Sequence, residues 1–158
     1  MKKKNYVTIA KKSAEIQINE LKKIKKVFNN SFNKAIDLIL KCKGKVIFAG
    51  IGKSGLVARK ISATFSSVGI PSFFCDPAQA LHGDMGQIEK KDILIVFSYS
   101  GNTSELNNML KYANRFQIKI IGVASKPDSI LLKASDIKLI LPKVKEADPT
   151  GMVPTSST

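Results

Sequence analysis

Residues 46–55 read VIFAGIGKSG, an apolar run followed by a glycine-rich loop, and this pattern decides the fold. Residues 93–103, ILIVFSYSGNT, repeat the plan with a loop that is rich in hydroxyl groups. Short apolar runs rich in β-branched residues predict buried strands of a parallel sheet. Because each loop leads into a helical pattern, two helix N-termini are expected at the same edge of that sheet. Exposed backbone N–H groups and hydroxyls at such an edge suit a small phosphorylated molecule.

The rest of the chain alternates strand and helix patterns, which predicts a three-layer, doubly wound α/β fold with a five-stranded parallel sheet. Strands are expected near 45–49, 72–75, 92–97, 118–123 and 137–141. Helices are expected over 6–28, from an N-cap at Ser31 to a stop before Gly44, near 54–68, near 104–116, and from Asp128 or Ser129. A single domain is expected over 1–158, with an N-terminal helical segment in 1–43 and the sheet core in 44–158.

The net charge of +14 is concentrated in residues 1–45, which contain 13 lysines and three acidic residues. Of the 26 basic residues only Arg59 and Arg115 are arginine, and nucleic-acid readers depend on arginine for bidentate and stacked contacts. We therefore interpret these lysines as residues on solvent-exposed faces of helices, and no nucleic-acid partner is expected. No apolar run is long enough for a membrane span, and no apolar signal segment follows the lysines at 2–4. A cytoplasmic protein is expected.

The two cysteines and the single histidine have no metal-ligand spacing, so neither a metal nor another cofactor is expected.

The first loop has competing interpretations. It matches the dinucleotide fingerprint G-x-G-x-x-G, with Asp76 where a ribose-binding acid would stand. Lys53 inside the fingerprint, Pro77 directly after Asp76 and the second, hydroxyl-rich loop all count against a dinucleotide. A Walker A loop needs glycine where Ile47 stands and is excluded. A third interpretation is that the glycines serve only the close packing of helix on strand.

The second loop is more specific. Ser98, Ser100 and Thr103 can direct their hydroxyls toward one point above the helix start, and Gly101 lets the main chain approach closely. Three hydroxyls with free N–H groups bind a phosphate monoester without a metal or an arginine. The alternative is a cluster that only caps the following helix.

Three ionisable residues lie at positions where they could take part in catalysis. Glu105 falls in the first turn after the hydroxyl-rich loop, His82 follows the second strand, and Glu146 follows the fifth. A carboxylate base, a polarising lysine or histidine and a phosphate grip together suit proton abstraction next to a carbonyl. Helix capping alone would also explain Glu105, and a lone histidine is often structural.

With these motifs the chain resembles the SIS (sugar isomerase) domain family, whose phosphate grip is a Ser-x-Ser-Gly-x-Thr/Ser loop. Four stretches are more similar still to the arabinose-5-phosphate isomerases, at residues 52–55, 80–84, 100–105 and 154–158. The resemblance runs from about Cys42 to the last residue. It implies a flavodoxin-like sheet, a homo-oligomer that assembles through its helices, and interconversion of D-ribulose 5-phosphate and D-arabinose 5-phosphate for Kdo and lipopolysaccharide synthesis.

The resemblance also implies roles for individual residues, matched by motif. The active-site positions are Lys53, His82, Glu105 and Glu146. The phosphate-binding positions are Ser54, Ser98, Ser100, Thr103, Thr155 and Ser156. Either Glu105 or Glu146 would move the proton, and either Lys53 or His82 would stabilise the oxyanion or assist ring opening.

Family members continue beyond the Thr-Ser-Ser-Thr run with a helix, a Ser-His-Pro-Gly-Gly segment that carries a further active-site histidine, and usually two CBS domains. The C-terminal helix and the CBS pair are missing from the 158 residues. A non-catalytic sugar-phosphate-binding module, or a truncated relic, is therefore the alternative to an isomerase.

Overall fold

The computed structural model describes residues 5–157. The lysines at 2–4 and Thr158 lie outside the described residues. The chain divides into two compact units, of which one contains residues 5–26 and 142–157 and the other contains residues 27–141. The expected single domain over 1–158 stays a prediction.

Five parallel strands form one sheet in the larger unit, as the apolar runs predict. They are β1 (Val46–Gly50), β2 (Ser72–Cys75), β3 (Ile93–Phe97), β4 (Lys119–Ala124) and β5 (Ile137–Ile140). Their order across the sheet is β2-β1-β3-β4-β5. Each predicted strand agrees with an observed strand to within two residues at either end.

Residues 5–157 also contain five α-helices and three short 3₁₀ segments. The helices are α1 (Tyr6–Leu21), α2 (Asn30–Leu40), α3 (Gly52–Ser67), α4 (Leu106–Arg115) and α5 (Ile130–Ala134). The 3₁₀ segments are Lys22–Val27, Ala80–His82 and Asp84–Gln87.

Several helix boundaries differ from the prediction, and α3 and α4 begin at Gly52 and Leu106, each two residues from the expected start. The helix expected over 6–28 ends at Leu21 and continues as a 3₁₀ turn, a common ending for α-helices. The N-cap of α2 is Asn29 and not Ser31, because the Asn29 side-chain oxygen accepts the Ser31 N–H at 2.8 Å.

The sheet of the larger unit is covered on both faces. Alternate residues of a strand point to opposite faces. Val46 and Phe48 of β1 belong to a buried cluster with residues of α2 and α3, whereas Ile47 and Ala49 belong to a cluster with residues of α4 and α5. The predicted three-layer architecture is confirmed for residues 27–141.

The sheet order places a topological switch point between β1 and β3. From β1 the chain crosses to β2 on one side and then returns to β3 on the other, so the two connections leave in opposite directions. Gly50 and Phe97, at the carboxyl ends of β1 and β3, are register partners. Ligands of open α/β sheets bind outside the carboxyl ends of the strands at this point, where both motif loops begin.

Candidate functional site

The loop after β1 brings Lys53 and Ser54 into the first turn of α3. Ile51 occupies the N-cap position without a side-chain hydrogen bond, so no capping side chain takes the first amides of the helix. A Cβ added to Gly55 would lie 2.6 Å from the Gly50 carbonyl oxygen, so close packing of helix on strand does require this glycine. Lys53 is exposed and Ser54 is half-buried. The first turn of α3 therefore carries a lysine, a serine hydroxyl and amides that no capping side chain occupies.

The loop after β3 is ordered by its own hydroxyls. Ser98 is 5% exposed, and its Oγ accepts the Gly101 N–H at 3.0 Å and lies 2.9 Å from Thr103 Oγ1. Ser100 Oγ accepts the Asn102 N–H at 3.3 Å. Ser100 and Thr103 are half-buried. Ser98 therefore shapes the loop from below, while Ser100 and Thr103 keep part of their surface in water.

The start of α5 holds this loop from the side. The Ile130 N–H donates to Asn102 Oδ1 at 3.0 Å, and the Leu131 N–H donates to the Gly101 carbonyl oxygen at 3.0 Å. Two hydrogen bonds from a neighbouring helix restrict how far the loop can move.

Glu105 occupies the N-cap position of α4, directly after the hydroxyl-rich loop. Its side chain is exposed, and Oε2 accepts the Ser104 hydroxyl at 2.8 Å. Its own backbone N–H and then the Ser104 hydroxyl lower the pKa of Glu105 from its usual value. The positive end of the helix dipole also favours a negative charge here. The carboxylate is thus ionised at neutral pH and able to accept a proton.

His82 ends the 3₁₀ segment in the connection after β2. Because β2 lies beside β1 in the parallel sheet, this connection leaves from the same edge as the two loops. The imidazole is exposed, and the backbone N–H donates to the Gln79 carbonyl oxygen at 2.9 Å.

Asp76 holds the turn that follows β2. Its Oδ1 accepts the Ala78 N–H at 2.9 Å, and its carbonyl oxygen accepts the Ala80 N–H at 2.8 Å. This use of the carboxylate counts against its expected role as a ribose ligand in the dinucleotide interpretation.

Glu146, Thr155 and Ser156 come together in the smaller unit. Glu146 Oε2 accepts the Thr155 N–H at 2.7 Å, the Thr155 hydroxyl at 2.8 Å and the Ser156 N–H at 2.8 Å. Burial raises the pKa of Glu146, but hydrogen bonds from Ser157, Thr155 and Ser156 outweigh it and lower the pKa to about 2. The carboxylate is therefore held firmly in its ionised form.

Within residues 5–157, no group of three or more histidine, cysteine, aspartate and glutamate side chains is placed to hold a metal ion. No helix among these residues is long and apolar enough to cross a membrane. The expected cytoplasmic location stays a prediction.

A family model for the SIS domain matches residues 39–158, which includes the whole sheet and both motif loops. The chain belongs to the SIS domain family. The relationship that the motifs indicated is confirmed.

Similar proteins agree with this membership. This SIS domain is 41% identical over 157 residues to the arabinose 5-phosphate isomerase KdsD of Francisella tularensis, an alignment that covers 98% of this chain and 48% of that protein. The chain spans about half the length of the curated relatives it matches.

Solved structures share the fold. A crystal structure from Listeria monocytogenes has a TM-score of 0.92 and 33% identity, over 99% of this chain and 83% of the other. An Escherichia coli CFT073 protein in complex with arabinose 5-phosphate has a TM-score of 0.87 and 35% identity, over 99% of this chain and 84% of the other. The predicted α/β fold is thus confirmed by chains of the same architecture.

Sequence reasoning missed the residues that hold the hydroxyl-rich loop in place. Asn102 was not singled out, and neither was Ser125, whose N–H and hydroxyl donate to the Tyr99 carbonyl oxygen at 2.8 and 2.7 Å. Ser125 follows β4 directly, so its place at the same sheet edge was a usable signal. Nothing local in the sequence marks Asn102 as a partner of α5.

Proposed function

We propose that this SIS domain catalyses the interconversion of D-ribulose 5-phosphate and D-arabinose 5-phosphate, a step that feeds Kdo and lipopolysaccharide synthesis. The observation that carries the proposal is the pre-shaped hydroxyl loop 98–103 at the switch point of the sheet. Support comes from the relatives named arabinose 5-phosphate isomerase and from the similar Escherichia coli protein in complex with arabinose 5-phosphate.

The phosphate monoester is proposed to sit above the N-terminus of α3, against the loop after β3. Ser54, Ser100 and Thr103 would donate hydroxyls, and the uncapped amides of α3 would donate N–H groups. Ser98 is proposed to act from beneath, since its buried hydroxyl orients Gly101 and Thr103.

The isomerisation moves a proton between C1 and C2 of the sugar. A base removes the proton from C2 of the aldose, and the electron pair forms a C1–C2 enediolate with its negative charge on O1. The proton on O2 then passes to O1, and the base returns its proton to C1 to give the ketose. We assign the base to Glu105, because its exposed carboxylate directly follows the hydroxyl-rich loop, whereas one oxygen of Glu146 already accepts three hydrogen bonds from Thr155 and Ser156. Lys53 or His82 would stabilise the oxyanion or assist ring opening.

Replacing the Glu105 carboxylate by an amide tests this assignment. Glu105→Gln keeps the shape of the side chain and removes the proton acceptor, so kcat should fall by about 10³-fold with little change in KM. Turnover of D-arabinose 5-phosphate is followed by ¹³C NMR. The matched control is Glu89→Gln, an exposed glutamate before β3 at the opposite edge of the sheet, which should keep wild-type kcat. Unaltered turnover in Glu105→Gln would remove this residue from the mechanism.

Calorimetry with ribulose 5-phosphate, run beside the turnover assay, separates the isomerase from a non-catalytic binding module. Binding with turnover supports the isomerase, and binding without turnover supports the module. The absence of both binding and turnover would reject the isomerase and the binding module alike. Ser100→Ala should weaken binding about tenfold if the loop grips the phosphate.

Self-association is proposed as well, with a second copy of the chain covering α1. None of the sixteen residues of α1 is buried, and Tyr6, Ile9, Ile18 and Leu21 are each more than half exposed. Isolated helices of this length are marginal in water, so an apolar contact would stabilise α1.

A further inference from the structure

The single donor of the Thr155 hydroxyl is used inside its own segment. Its oxygen accepts the Ala147 N–H at 2.7 Å, and its single proton is donated to Glu146 Oε2 at 2.8 Å. A hydroxyl carries one donor. A phosphate oxygen needs donors, and Thr155 has none left, because its backbone N–H also goes to Glu146 Oε2 at 2.7 Å.

The donors around Glu146 converge on one atom. Thr155 and Ser156 reach Oε2 with two N–H groups and one hydroxyl, and Ser157 adds a side-chain hydrogen bond. This convergence fixes both the position and the ionised form of the carboxylate. The Ser156 hydroxyl is buried and has no hydrogen-bond partner, and it is the one buried side-chain polar atom of residues 5–157 in that position.

The charged groups beside Glu146 in the sequence have other partners. Glu20 Oε2 accepts the Lys145 backbone N–H at 3.0 Å and pairs with the Lys23 ammonium. These hydrogen bonds, from Lys23 first, and then the charges of Lys23 and Lys145 lower the pKa of Glu20, so the charge of Lys145 acts on Glu20. Asp148 Oδ2 accepts hydrogen bonds from Thr150 and from the main chain of the 150–153 turn. The groups that donate hydrogen bonds to the Glu146 carboxylate are hydroxyls and backbone amides.

We propose that Thr155 is a positioning residue that clamps Glu146, and not a phosphate ligand as its motif implies. The clamp keeps Glu146 as a fixed negative charge in one orientation. The value of that charge to the reaction rests on the proposed function, but the clamp itself does not.

Titration of the Glu146 side-chain carboxyl by ¹³C NMR tests the clamp in the full chain. Thr155→Val removes the hydroxyl donor at similar size and should raise the pKa of Glu146 by about one unit. Thr155→Ser restores the hydroxyl and should return the pKa to the wild-type value. Thr155→Ala gives the same readout as Thr155→Val with a smaller side chain, should the valine variant not fold.

Thr150→Val is the matched control. Thr150 lies in the same segment and donates its hydroxyl to a carboxylate, but that carboxylate is Asp148. This variant should leave the Glu146 titration unchanged. An unshifted pKa of Glu146 in both Thr155→Val and Thr155→Ala would overturn the clamp.

The affinity for D-arabinose 5-phosphate separates the clamp from a phosphate contact. Thr155→Val should bind within about twofold of wild type, whereas Ser100→Ala should bind about tenfold more weakly. A loss in Thr155→Val equal to that in Ser100→Ala would make Thr155 a phosphate ligand and overturn the proposal. If the wild-type chain binds no sugar phosphate, the proposed function fails while the titration still decides the clamp.

Discussion

At the scale of single residues, Gly101 is the position of the hydroxyl-rich loop where a side chain would be least tolerated. Its φ is +68°, a left-handed conformation that favours glycine. An added Cβ would also lie 2.5 Å from the Ser129 Cβ and would contact the Ser129 hydroxyl. Glycine is therefore required at this position for two reasons: the positive φ of the turn and the close approach of Ser129.

Comparison of Gly101 with Gly69 separates the effect of the positive φ from the effect of the steric contact. Gly69 also has a positive φ, +85°, but nothing lies within 4 Å of an added Cβ. We expect Gly69→Ala to lower the free energy of unfolding by about 1 kcal/mol, from backbone strain alone. Gly101→Ala should cost about 3 kcal/mol, because steric strain is added, and should weaken sugar-phosphate binding. Urea unfolding measures both losses, and equal values would show that Ser129 moves aside freely.

At the scale of elements, a buried aspartate ties together the amino ends of two central strands. Asp92 is 1% exposed and precedes β3. Its carboxylate accepts the Lys45 N–H at 2.7 Å and the Glu89 N–H at 2.8 Å, and it pairs with the Lys45 ammonium at 3.1 Å. The hydrogen bond to Asp92 is the main cause that raises the pKa of Lys45. The edge opposite the site is thus held by charge-assisted hydrogen bonds.

The chain contains a second, weaker copy of this arrangement. Asp136, before β5, accepts the Ile120 N–H at 2.9 Å and the Lys119 ammonium at 2.6 Å, but about a third of its side chain is exposed. Asp92→Ala should lower the free energy of unfolding by about 3 kcal/mol, because two backbone donors lose their partner, and Asp136→Ala by about 1 kcal/mol. Chemical denaturation compares the two, and a larger loss at Asp136 would contradict this account.

At the scale of the whole molecule, the proposed self-association depends on the apolar surface of α1. Ile18 is 55% exposed, so an ionised carboxylate at this position would cost the free helix little. Burial of the same charge against a second copy would be unfavourable. We therefore expect light scattering at micromolar concentration to give an oligomer for the wild type and a mass near 17.3 kDa for Ile18→Glu.

Gln17→Glu is the control, since it adds the same charge at the adjacent, exposed position of α1. That variant should keep the wild-type mass. A wild-type monomer at micromolar concentration would contradict the proposal.

Local sequence determined the strands, the two motif loops and the family of this protein. Val46–Gly50 and Ile93–Phe97 are apolar throughout because parallel strands are buried on both faces. Such apolar runs can be recognised in the sequence without knowledge of the fold. The hydroxyl loop could be predicted because its spacing is fixed over a few residues.

Tertiary structure decided which partner each polar group of the loops has. The resemblance implies a phosphate contact for Thr155, and the folded chain gives its hydroxyl and N–H a different acceptor, Glu146, nine residues away. Asn102 holds the start of α5 across 28 residues. Secondary structure leaves a periodic signal because neighbouring residues share one geometry. A hydrogen bond between loops leaves no such signal, because only the path of the folded chain brings its donor and acceptor together.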